Sequence, residues 1–390
     1  MVARNLPVYP CLIAILLMSA ACDPFEVDPV GETYLDLPAI RYNYNNFNDT
    51  TNALSTLGRV LFYDRQLSIN NSISCASCHK QSAAFADDRR FSPGFEGKLT
   101  SRNSMPIQNI DLAAIPAFAD FSSSKPVLAD PNPSNSFGSF ATHLFWDGRE
   151  SSIERLVLQP IGNHVEMGIR DVDALSSKLA AIPYYQTLFT DAFQTPEVTP
   201  EKISAALSAF TRSIRTGETR LDAHNLSLFT SNVGDVRSNL SPLELEGMIL
   251  FDQKYQCNSC HQVSSPVGYI LAGTFANIGL DKVYADNGLS EITGNPADAG
   301  KFRIPSLRNV EHTAPYMHDG RFETLEDVIH HYSEGMADHP NLDARLKKNG
   351  AAQSMNISEH ETQAIIAFLR TLSDESVLTD PKFSNPFKTR

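Results

Sequence analysis

Apolar residues at Ile203, Ala206, Leu207, Phe210 and Ile214 recur at the three-and-four spacing of one helix face, behind Thr199 as N-cap and Pro200 at the first helical position. They predict an amphipathic helix. Ser241 with Pro242 and Glu244, and Ser358 with Glu361, are capping boxes that open two more helices. Alternating apolar and polar stretches that would mark strands are sparse, so the pattern predicts a mostly α fold. Residues 87–140 and 262–300, rich in Gly, Pro and Asn, read as long loops. At the start, Arg4 precedes an apolar run from Cys11 to Ala21 that is too short to span a bilayer and reads as a secretory signal. Residues 23–50, rich in Pro, Asn and Asp, read as an extended linker.

The pattern also repeats. Gly58-Arg59-Val60-Leu61-Phe62 has a counterpart in Gly247-Met248-Ile249-Leu250-Phe251. The run from Trp146-Asp147-Gly148-Arg149 to Val157 is matched by His318-Asp319-Gly320-Arg321 to Ile329, and each half closes on a helix, at Ala209–Ile214 and Ala367–Leu372. Identical landmarks in the same order predict a duplicated unit. The expected blocks are 51–225 and 226–390, with the boundary near residues 216–240.

Each unit carries a C-x-x-C-H pentapeptide, Cys75-Ala76-Ser77-Cys78-His79 and Cys257-Asn258-Ser259-Cys260-His261. This is the attachment signature of a c-type haem: two thiols add to the porphyrin and the adjacent imidazole is placed to bind the iron. A dithiol redox site would sit in a βαβ setting, and a zinc ribbon needs its knuckles much closer together, so two covalent haem c groups are the expected cofactors. The loops would then wrap them.

Of the six cysteines, four are committed to haem. Cys11 leaves with the signal, and Ser19-Ala20-Ala21-Cys22 resembles a lipoprotein cleavage box, which makes residues 1–22 the signal and Cys22 the lipidated anchor. An unlipidated secreted chain is the alternative. The expected location is the periplasm or cell envelope, with membrane contact only through the anchor. A net charge of −13 argues against nucleic acid as a partner.

Taken with Phe145-Trp146-Asp147-Gly148-Arg149, Val165-Glu166-Met167, Pro305-Ser306-Leu307-Arg308-Asn309 and Thr313-Ala314-Pro315-Tyr316-Met317-His318-Asp319-Gly320, the haem motifs make the chain resemble the bacterial di-haem cytochrome c peroxidases, MauG enzymes included. The resemblance implies two tandem cytochrome c-like domains with a calcium ion between them. It also implies that the N-terminal haem meets peroxide and the C-terminal haem passes electrons. His79 and His261 would be proximal iron ligands, and Trp146 and Glu166 the distal-side pair. The Asn103 side chain and the carbonyls of Thr313 and Pro315 would hold calcium, a hard cation suited by oxygen ligands. Glu166 is the candidate for moving a proton between the peroxide oxygens. Tyr255 is a candidate relay between haems, with simple packing the favoured reading.

Two departures from the family pattern stand out. No histidine lies between His79 and His143, so the usual distal His is missing and the first iron is expected to be open; His143 is the substitute to consider. At the second haem the usual axial Met falls on Tyr332, with Met336 one helical turn on and His330 and His331 as competitors.

The expected function is a di-haem peroxidase that reduces hydrogen peroxide with electrons from a small cytochrome or similar donor. A MauG-like oxidant of a partner protein and a non-catalytic electron carrier are the alternatives. A homodimer is a family expectation only.

Overall fold

The computed structural model describes residues 33–37, 42, 52–110, 143–217, 219–230, 239–263 and 275–389. The signal, Cys22 and most of the linker lie outside them, as do 111–142 and 264–274 from the two expected loops.

The principal helices are α1 (Asn52–Tyr63), α2 (Pro183–Phe193), α3 (Pro200–Ser213), α4 (Pro242–Ile249), α5 (Leu325–His330) and α6 (Glu359–Arg370). Three of them start where the caps predict. The side chains of Thr199, Ser241 and Ser358 accept from the backbone N–H groups of Lys202, Glu244 and Glu361, and the last two complete capping boxes. Strands among the described residues are two or three residues long.

The apolar faces gather into two clusters. The first joins Leu57 and Leu61 of α1, Tyr185 and Phe189 of α2 and Ile203, Leu207 and Phe210 of α3. The second joins Leu250 and Phe251, Ile329 of α5, and Ile365, Phe368 and Leu369 of α6. The same helix crossing occurs in both. At Gly58 a Cβ would lie 1.9 Å from the Ala206 carbonyl oxygen, and at Gly247 it would lie 1.9 Å from that of Ala364. Phe210 and Phe368 occupy equivalent places beside those glycines. The repeated Gly in the sequence is therefore the point where two backbones come too close for any side chain.

One feature lies outside the two-block division of the sequence. After α6 the chain returns to the first cluster, where Val377 and Phe383 are completely buried. Arg59 donates to the Ser384 carbonyl at 2.7 Å and the Tyr63 hydroxyl to that of Phe383 at 2.6 Å. The strand Phe387–Thr389 pairs antiparallel with Thr33–Leu35. The block expected to run to 390 thus ends inside the packing of the first unit.

Candidate active site

Both haem motifs begin as a single tight turn, Cys75–Ser77 and Cys257–Ser259. The N–H of His79 donates to the Cys75 carbonyl at 2.9 Å, and that of His261 to the Cys257 carbonyl at the same distance. Burial pushes the thiols up, to about 12 for Cys75, about 11 for Cys78 and about 12 for Cys257. A dithiol redox site needs the opposite shift, so the burial argues against a redox pair.

The two imidazoles are held alike. His79 Nδ1 lies 2.9 Å from the Phe85 carbonyl oxygen, and His261 Nδ1 lies 3.1 Å from that of Pro305. A carbonyl only accepts, so Nδ1 carries the proton and the Nε2 lone pair is left for iron. Burial holds His261 down to about 4 and lowers His79 as well, which keeps both rings neutral, as ligation requires. Ala84 and Phe85 both adopt left-handed backbone, with φ of 50° and 62°, in the turn that brings the Phe85 carbonyl to His79.

A cavity of about 370 Å³ opens on His79. Trp146, Glu166, Arg149 and Arg303 line it together with His143 and the loop 99–110. Trp146 and Glu166, far apart in sequence and selected through the family resemblance, thus share one cavity with His79. Glu166 is raised above the usual carboxylate range, chiefly by burial, with Arg149 pulling the other way. Its Oε1 accepts from Asn163 Nδ2 at 2.8 Å, while Asn163 Oδ1 accepts the Val165 N–H at 2.8 Å, which fixes the carboxyl's direction. Trp146 Nε1 donates to the Asn103 carbonyl at 2.9 Å, locking the indole to the loop. His143 Nδ1 lies 3.3 Å from the Gly148 carbonyl oxygen, and its ring packs edge-on against Phe275.

At the second motif, Tyr332 sits in a π-helical turn, His331–Gly335, that widens the end of α5. Burial raises its phenol, and the Cys257 and Cys260 thiols raise it further, which places its hydroxyl within electrostatic range of the second motif. His331 is committed elsewhere through Nε2, 2.9 Å from the Ile278 carbonyl oxygen, and His330 is exposed. Met336 caps the end of the turn. Tyr255 donates to Glu361 at 3.0 Å and packs at the rim of the second cluster, which agrees with its packing role.

Of the proposed calcium ligands, Asn103 is buried and its Nδ2 donates to the Arg89 carbonyl at 3.0 Å. Among the described residues nothing donates to Asn103 Oδ1 or to the carbonyls of Thr313 and Pro315, so all three oxygens are free to meet a cation. No group of three or more His, Cys, Asp or Glu suited to a metal occurs among the described residues, so such a site would rest on neutral oxygens.

Sequence reasoning passed over Asn163 and Arg303. Asn163 lies three residues before Glu166 and Arg303 two before the quoted Pro305 run, but neither spacing carries a chemical signature.

Paired thiols, neutral imidazoles and a cavity on His79 fit haem, and they define a c-type di-haem protein. The family described as di-haem cytochrome c peroxidase matches residues 52–227. MauG of Paracoccus denitrificans is 30% identical over 83% of this chain and 89% of its own length. Cytochrome c551 peroxidase of Nitrosomonas europaea is 28% identical over 85% and 82%. The crystal structure of a MauG-like protein associated with microbial copper homeostasis shares 32% identity, covers 90% of this chain and 99% of that one, and superposes with a TM-score of 0.68. The chain belongs to the di-haem cytochrome c peroxidase family. Membership carries two haem c groups and the mostly helical, two-domain cytochrome c-like fold.

Proposed function

We propose that this chain is a peroxidase that reduces hydrogen peroxide at the N-terminal haem, supplied with electrons through the C-terminal haem from a small redox protein. One observation carries the reading: a single cavity joins His79, ready to ligate iron, to a protonatable Glu166 whose direction is fixed by Asn163. Haem bound there would supply the iron that binds peroxide and the electrons that cleave its O–O bond. Glu166 takes the proton from one peroxide oxygen and returns it to the departing one, which leaves as water; such positioned proton transfer is worth about 10²–10⁴ in rate. Trp146, fastened to the Asn103 carbonyl, walls the distal side.

At the C-terminal haem we assign Tyr332 as the sixth ligand over Met336, His330 and His331, since it lies within electrostatic range of the thiols while His331 is otherwise bonded. Calcium held by Asn103, Thr313 and Pro315 would brace the join between the cavity loop and the second half. A periplasmic or cell-envelope site, lipidation at Cys22 and a homodimer complete the proposal.

A second reading has specific support. The MauG relatives, the missing histidine before His143 and Tyr332 all favour an enzyme that turns peroxide oxidation on a partner protein.

The test is low-temperature EPR of the fully ferric protein. A high-spin signal beside a low-spin one is expected, because the first iron has no sixth protein ligand. Two low-spin haems would favour the electron carrier. Between peroxidase and partner oxidation, turnover of peroxide with a reduced small cytochrome decides: brisk donor oxidation supports the first, and peroxide consumption without it the second.

A further inference from the structure

The cavity beside His79 contains one acid and three arginines. Two of the arginines are matched. Arg102 is paired with Asp147 and bonded to Asp286 at 2.6 and 2.7 Å. Arg149 reaches both oxygens of Asp147 and stacks on Phe145. Arg303 is different. Among the described residues its side chain has no hydrogen bond, ion pair or ring contact, and burial alone pulls its pKa down to about 10. The cavity's acid, Glu166, is directed to Asn163 and influenced by Arg149, with no detectable pull on Arg303.

An unpaired cation turned into a cavity is costly, and an anion that joins it there offsets the cost. The backbone that carries it is held on both sides. The Arg303 N–H donates to the Trp146 carbonyl at 2.8 Å, and the strand Phe302–Arg303 pairs with Phe275–Ala276. An anion that a haem seated here would bring with it is the porphyrin's own carboxylate.

Building on the proposed function, we propose that Arg303 receives a propionate of the haem attached at Cys75 and Cys78 and thereby holds that haem's reduction potential up. A guanidinium suits a carboxylate through two parallel N–H donors. Positive charge beside the macrocycle favours the ferrous form, so its removal lowers the midpoint.

The test uses the holoprotein and the variants Arg303→Gln and Arg303→Lys in spectroelectrochemical titration, with haem content measured by pyridine haemochrome. In Arg303→Gln the ferrous-to-ferric ratio of the N-terminal haem is expected to fall about tenfold at a given potential, a midpoint drop of ~59 mV for one electron. The C-terminal haem should titrate unchanged, and Arg303→Lys should recover much of the shift. An unchanged N-terminal midpoint in a fully haem-loaded Arg303→Gln protein overturns the proposal. So does a wild-type midpoint that depends on added phosphate or acetate, since the partner would then be a diffusible anion. If Arg303→Gln fails to hold haem, resonance Raman of Arg303→Lys decides: propionate bending bands displaced from wild type support the pairing, and unmoved bands overturn it. Absence of haem at Cys75 and Cys78 in the wild-type protein would instead sink the proposed function.

Discussion

At the residue scale, the proposed chemistry turns on a glutamate whose surroundings raise its proton affinity. Burial lifts Glu166 above its ordinary 4.5, so the carboxylate able to take a peroxide proton is lost at higher pH than for an exposed glutamate. The acid limb of the peroxide reaction should therefore lie above pH 4.5. Glu166→Gln should remove that limb and slow the reaction by about 10²–10⁴, with both haems still attached, as stopped-flow traces at the Soret band would show. Asn163→Ala should move the limb and lower the rate less, because it frees the carboxyl without removing it. The proposed haem-binding residues could be picked from sequence because the motif is local: five consecutive residues contain both thiols and the imidazole. The distal pair needed the family resemblance, and Arg303 was invisible because its significance is an absence of partners, which only the fold reveals.

The helices were legible where their signals are local. Thr199, Ser241 and Ser358 cap as their spacing predicts, because a hydroxyl three residues ahead of an N–H reaches it whatever the rest of the chain does. The glycines were noticed as landmarks, but only the packing explains them. Gly247→Ala would gain about 1 kcal/mol in helix propensity. It would also drive a methyl group to 1.9 Å from a backbone oxygen of α6 that cannot move without the whole helix. Overpacking of this kind costs about 1–3 kcal/mol or more, so net destabilisation is expected, seen as a lower melting temperature in calorimetry. Gly58→Ala should behave the same way, and equal losses would mark the two crossings as structural equivalents. The π-helical turn that presents Tyr332 had no sequence signature, since its spacing differs from an α-helix by a single backbone bond pattern.

At the scale of the whole molecule, the two clusters are tied together by charge and by chain. Arg102 bonds to Asp147 on the first side and to Asp286 on the second. If calcium braces the same join, a chelator should lower the melting temperature and slow electron transfer between the haems, and added Ca²⁺ should restore both. The tail is the stronger tie. Phe383 is completely buried, edge-on to Phe85 at 6.1 Å, and Phe85 supplies the carbonyl that orients His79. Phe383→Ala should cost about 3–5 kcal/mol in denaturant unfolding. No local pattern in residues 375–389 says which cluster they join, so sequence alone assigned them to the nearer one.

That returning tail sets an order of events. Synthesis reaches Phe383 only after both C-x-x-C-H motifs, so the first core stays open along the side that Phe383 later fills until residues beyond the second motif have emerged. A fragment ending at residue 225 would contain the whole first C-x-x-C-H motif yet leave Phe85 and Phe210 without the ring that packs on both. The first haem site is thus synthesised before the second yet cannot be sealed until residues beyond the second are made, and a chain terminated before Phe383 cannot seal it.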